Sequence, residues 1–147
     1  MLFRSGVFDA AMSVYLDRFL NIPAARLPEP DGERPDLENL LGMLDRQQQV
    51  NPAGDAVGHY LYAGGEIDRL LALLGKLLLR EDRDFHTIQT VEAAFNQVAY
   101  NQQDAAGRHM LVAAARYLAA HAPTMRAQGQ TYDIAIRLHR GEKLFTN

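Results

Sequence analysis

The stretch with the most chemical potential is Arg80 to Gln103, REDRDFHTIQTVEAAFNQVAYNQQ. At one residue every ~100° of arc it reads as a helix. Phe85, Ile88, Val91, Phe95, Val98 and Ala99 then share a face. Gln89, Glu92 and Asn96 line its edge, with Glu92 leaning into it. A carboxylate among packed apolar side chains must be paired, hydrogen-bonded or protonated. With Gln89 and Asn96 beside it, Glu92 is the candidate general base and the trio a candidate ligand site. The alternative is an interhelical network, with Arg69 or Arg116 as partner.

The histidines extend this picture. His59, His86, His109, His121 and His139 include no pair three or four residues apart, so no single helix offers a two-histidine metal face. Residues from neighbouring helices can still converge. If the helices over 82–103 and 105–121 run antiparallel, His86 lies nearer His121 than His109. His86 and His121 are then the candidate metal or proton-sharing pair, with Glu81 or Asp82 assisting. His86 joins Glu92 as a catalytic candidate, and His109 joins the ligand-binding candidates. The competing reading gives His121 to the negative end of its helix dipole and makes His86 an ordinary interhelical hydrogen-bonder.

Other chemistries lack their residues. Glu38, Glu66 and Glu92 are followed three positions on by Leu41, Arg69 and Phe95, so the Glu-x-x-His pairs of a di-iron bundle are missing. There is no cysteine, which removes disulfides, thiolate nucleophiles and cysteine-ligated zinc or iron–sulfur centres from this chain. Ser5 and Ser13 are the only serines, and neither sits in a nucleophile motif. Gly64-Gly65 lacks the strand–glycine–helix setting of a phosphate loop. No cofactor is expected.

The elements that must position these groups are helices. Phe8, Met12, Tyr15, Leu16, Phe19 and Leu20 predict an amphipathic helix over 7–21, stopped by Pro23. Residues 22–35 hold four of the six prolines and read as a loop. A second helix is expected over 36–48, and a third from Asn51-Pro52 to Ala63, broken by Gly64-Gly65. Ile67, Leu70, Leu71, Leu74, Leu77 and Leu78 stripe a fourth over 66–80, with Leu73 and Leu79 off the pattern. Asp82 or Asp84 caps the fifth, and Asp104 caps an alanine-rich sixth over 105–121, built for close packing. Pro123 ends it. A last helix over about 131–140 stops at Gly141 as a C′ glycine. Strand and hairpin signals are almost absent, and no solenoid repeat emerges. The expected fold is all-α: one domain of 147 residues, a compact bundle of six to seven mostly antiparallel helices. The abrupt start near Met1 also fits a fragment of a longer protein.

Composition narrows the partners. Net charge is −3, and aromatics do not interleave with basic residues, so nucleic acid is not expected as a partner. The longest apolar segment, 70–79, contains Lys76 and falls short of the ~20 residues that span a membrane. No signal-peptide core is visible, and the chain reads as soluble and cytoplasmic. Arginine outnumbers lysine 13 to 2, which fits a GC-rich genome or a need for bidentate anion contacts. Arg126, Arg137, Arg140 and Lys143 against Asp133 and Glu142 make a weakly basic, solvated tail.

Three phrases, YLDRFLN (15–21), REDRDFHTIQTVEAAFNQ (80–97) and RLHRG (137–141), resemble helical portions of larger bacterial proteins, some associated with a Rieske-type iron–sulfur region. The resemblance implies a helical companion to a cluster held elsewhere, because the Cys and His pairs of such a cluster are missing here. No site residue follows from it. The leading expectation is a non-catalytic accessory domain that packs against a partner domain or forms a homo-oligomer. The rival is a metal-dependent or redox enzyme using His86, Glu92, His109 and His121.

Overall fold

A computed structural model describes residues 2–19, 27–30, 35–101, 104–124 and 127–143, with side chains omitted at 2–4 and 127–130. Seven helices and no strands occur among them: α1 (Leu2–Asp17), α2 (Glu38–Met43), α3 (Val50–Tyr62), α4 (Ile67–Leu79), α5 (Phe85–Tyr100), α6 (Ala105–Ala120) and α7 (Ala127–His139). The all-α expectation holds. Pro23 and most of the 22–35 loop lie outside the described residues.

Local signals explain most boundaries. Asp84 caps α5 by accepting the Thr87 amide at 2.7 Å. Asp104 occupies the cap position of α6 but makes no side-chain cap bond. The third helix begins at Val50, two residues early, with Gln49 rather than Asn51 at the cap position, so Pro52 falls in the first turn, where amide donors have no intrahelical acceptor. Gly64 supplies a left-handed φ of 72°, and Gly65 lies so close to the Tyr60 ring that a Cβ would strike it. Gly141 (φ 73°) follows α7, and its amide donates to the Leu138 carbonyl at 2.9 Å.

The core is built around α6, which packs extensively against both α3 and α5. A Cβ on Gly107, at the start of α6, would sit 3.6 Å from Val98 Cα near the end of α5. Arg83, just ahead of α5, donates to the carbonyl of His121 just after α6 at 2.7 Å. These two contacts make α5 and α6 antiparallel. The start of α3 (Gly54) meets Arg116 late in α6, so α3 is antiparallel to α6 as well. On α6, Gly107, Leu111, Ala114 and Leu118 form one buried line, and Val112, Ala115 and Ala119 form the next. Small side chains on both lines let two helices approach.

Leu70, Leu73, Leu74 and Leu77 of α4 are buried, whereas Leu79 is exposed. Leu73, off the simple stripe, nonetheless faces inward. The core draws on α2 to α6 with Leu37 and Leu44; no described residue of α1 or α7 belongs to it. Every described side chain of α1 is exposed.

This division has a measurable consequence. Leu74→Ala removes a fully buried side chain and is expected to cost about 2–5 kcal/mol of unfolding free energy. Leu79→Ala is expected to stay within about 0.5 kcal/mol. Urea denaturation of the two variants checks both values, and equal losses would contradict the assigned burial.

Candidate functional site

Alpha5 turns a different face inward from the one its large apolar residues suggest. Thr87, Val91, Ala94 and Val98 are buried, Phe95 is half-buried, and Phe85, Ile88 and Ala99 are exposed. Gln89, Glu92 and Asn96 are all exposed, so Glu92 does not lean into the apolar face. The cause lies in α6: its glycine and alanine line brings the backbones close, and only small side chains of α5 fit there. Bulky residues move to the rim, and the polar edge rotates into solvent.

The candidate histidines do not gather around Glu92. His86 is exposed and meets the Phe85 ring at 4.9 Å. His121 stacks on Tyr117 at 4.4 Å, and its Nδ1 lies 2.9 Å from the Tyr117 carbonyl. A carbonyl only accepts, so Nδ1 carries the proton. His109 uses Nδ1 in the same way on Ala105, at 2.7 Å, and lines the α3–α6 side of the bundle. His121 lines a separate polar cleft of about 640 Å³ with Gln48, Asp82, Arg83, Thr87 and Thr124. Among the described residues, no three His, Asp or Glu side chains are placed to hold a metal ion.

The carboxylate that is buried is Glu81, whose side chain has no exposed surface. Its Oε2 accepts the Thr124 amide at 2.8 Å and lies 3.3 Å from Arg83 Nη2. Its Oε1 accepts from Arg80 Nη2 at 3.1 Å. The Thr124 hydroxyl is 3.0 Å from both Oε2 and the Asp82 carbonyl, so its single proton serves one of them at a time. Arg80 also donates to the Leu41 carbonyl at 3.1 Å and pairs with Asp45 at 3.2 Å. Glu81 thus ties the α4–α5 connection to α2 and to the segment after α6. The Nε atoms of Arg80 and Arg83 are buried without hydrogen-bond partners among the described residues. Arg83 Nη2 likewise has no hydrogen-bond geometry, so its contact with Glu81 is mainly charge on charge.

Burial alone would raise the Glu81 carboxyl. The Thr124 amide and hydroxyl, then the charges of Arg83 and Arg80, outweigh it and hold the group below the ordinary value of 4.5. Asp84 is also lowered, by the Thr87 amide and hydroxyl. Burial pulls the Arg83 guanidinium down from its usual value, against the opposing pull of Glu81. Sequence spacing carried a signal for Glu81: Leu70, Leu74 and Leu77 continue, one turn on, to position 81.

A groove of about 690 Å³ lies between α3 and α6, walled by Leu27, Pro28, Gly54, Val112 and Ala113. Asp55, His109, Arg116 and Tyr117 supply its polar groups. A smaller hollow of about 140 Å³ continues it past His109 toward Leu61 and Tyr62. None of these recesses is lined by Glu92.

No family model matches the chain, and neither a curated protein nor a solved structure matches it.

The Glu81 cluster makes a pH-dependent prediction. A carboxyl with a depressed folded pKa contributes stability that is present above its unfolded value and lost as pH falls through the folded value. The wild-type chain should therefore lose stability below about pH 4.5. Glu81→Gln leaves the buried Arg83 without the Glu81 charge and Arg80 with Asp45 alone, and is expected to cost about 3–5 kcal/mol at neutral pH. It should also flatten the loss that sets in as pH falls below about 4.5. Glu92→Gln should change stability by less than about 0.5 kcal/mol. Denaturation series across pH measure all three, and parallel acid limbs for wild type and Glu81→Gln would refute the assignment.

Proposed function

We propose that this chain is an accessory interaction domain, without chemistry of its own, whose α1 face is covered by a protein surface. That surface belongs to a neighbouring domain or to a second copy of the chain. The supporting observation is the exposure of Phe8, Met12, Tyr15 and Leu16 on one side of α1, continued by Phe19 in the following turn. Each is more than half exposed. Val7 and Val14, on another side, are exposed as well, and the polar line is Ser5, Asp9, Ser13 and Asp17. A helix apolar around most of its circumference belongs inside a protein. Fully covering five large apolar side chains is worth on the order of 10 kcal/mol, before the cost of association is subtracted.

Two further features fit a protein occupant. Helices that lie on membranes carry Lys and Arg along the polar face. Here that line is Ser5, Asp9, Ser13 and Asp17, in a chain of net charge −3. No helix among the described residues is long and apolar enough to cross a membrane. The buried polar groups with fixed geometry, Glu81, Arg80, Arg83 and Thr124, are spent on one another and on joining elements of the bundle. Their arrangement favours cohesion over turnover. Tyr132 and Leu138 of α7 are also exposed.

The combined variant Phe8→Ser, Met12→Ser, Leu16→Ser tests this reading. The wild-type chain should run in light scattering as a species larger than its 16.4 kDa monomer, or bind an apolar dye as a monomer. The variant should lose that behaviour and keep its melting temperature within a few degrees. A dye-negative wild-type monomer, or a variant that unfolds, would count against the proposal.

A further inference from the structure

The α3–α6 groove holds two opposite charges that do not meet. Asp55 and Arg116 both line it, both are half-buried, and neither makes an ion pair or hydrogen bond among the described residues. Half-buried charges usually find partners, because desolvation without compensation is unfavourable. Arg116 is also held in place. Its stem crosses α3 at Gly54, where a Cβ would come within 2.8 Å of Arg116 Cγ and 3.1 Å of Cδ. The glycine leaves room for the stem, and the guanidinium is delivered to the groove. Around these charges the walls are apolar: Leu27, Pro28, Val112 and Ala113.

We infer that this groove binds a small zwitterion with an apolar body, of the α-amino-acid class. Arg116 takes the carboxylate, Asp55 takes the ammonium, and the apolar walls take the side chain. The groove, of about 690 Å³, has room for such a ligand. An arginine offers the planar fork that a carboxylate fits bidentately. His109 lines the same groove with Nδ1 committed to the Ala105 carbonyl. This site is separate from α1, so its occupancy does not depend on how α1 is covered.

L-Phenylalanine and L-leucine are the probes, titrated into the isotope-labelled full chain and followed by amide chemical shifts. The expected result is saturable change at Gly54, Asp55, Val112 and Arg116, with Kd on the order of 1 mM or tighter. Phenylalanine methyl ester lacks the carboxylate charge, and N-acetylphenylalanine lacks the ammonium. Each should bind about ten-fold more weakly or worse. Arg116→Gln should erase the preference for the amino acid over its ester, and Asp55→Asn its preference over the N-acetyl form. Gly54→Ala keeps both charges but displaces the Arg116 stem, and should weaken phenylalanine binding as Arg116→Gln does. The inference is overturned if neither probe shifts these amides at about 10 mM. It is equally overturned if the three phenylalanine compounds bind alike, or if Gly54→Ala leaves binding unchanged.

Discussion

Close approach to α6 is the constraint on which the rest of this structure depends. Gly107, Ala114, Ala115 and Ala119 keep that helix thin on two sides, and α3 and α5 both settle against it. Close packing then dictates what neighbouring positions can hold. On α5 the contact falls to Thr87, Val91, Ala94 and Val98, and the aromatic residues are displaced to the rim. On α3 the glycines at 54 and 58 admit Arg116 from α6 and Pro28 from the chain ahead of α2. One property of the sequence, small residues at helical spacing, thereby places the groove walls, the Arg116 guanidinium and the polar edge of α5.

The second organising contact is ionic. Three parts of the chain that do not follow one another, α2, the α4–α5 connection and the exit from α6, meet at the Arg80–Glu81 pair. A buried carboxylate facing two guanidinium groups is weak evidence of net stabilisation against an apolar alternative, since desolvation offsets much of the attraction. Its geometry does specify which segments meet. The bundle thus combines a non-directional driving force along α4 and α6 with one directional junction that fixes how the connections close.

Much of the fold was legible in the residues. The leucine stripe of α4, the Asp84 cap, the Gly64-Gly65 break, the C′ role of Gly141 and the close packing of α6 all follow from local chemistry, and the structure has each of them. The register of α5 was not legible in the same way. Apolar size ranks Phe85 and Ile88 as inward residues, but the neighbour decides, and a thin neighbour selects Thr87 and Ala94. Glu92 was placed at the apolar edge by that same ranking and lies in solvent instead. Glu81 was visible as the continuation of the leucine stripe, yet its partners come from residue 124 and from α2, contacts that no local spacing encodes. The α3–α6 groove was hidden for a similar reason: its charges, Asp55 and Arg116, are far apart in sequence.

Helix α1 sets the functional reading apart from the fold. The five-helix core of α2 to α6 closes without it, and its apolar residues remain outside. The most direct measurement is amide hydrogen exchange of the full chain at high dilution. Amides of α3, α5 and α6 should exchange slowly while those of α1 exchange rapidly, because local opening of an uncovered helix takes little free energy. Protection of α1 equal to that of α6 in the dilute monomer would mean that the chain covers this helix itself, and would contradict the account.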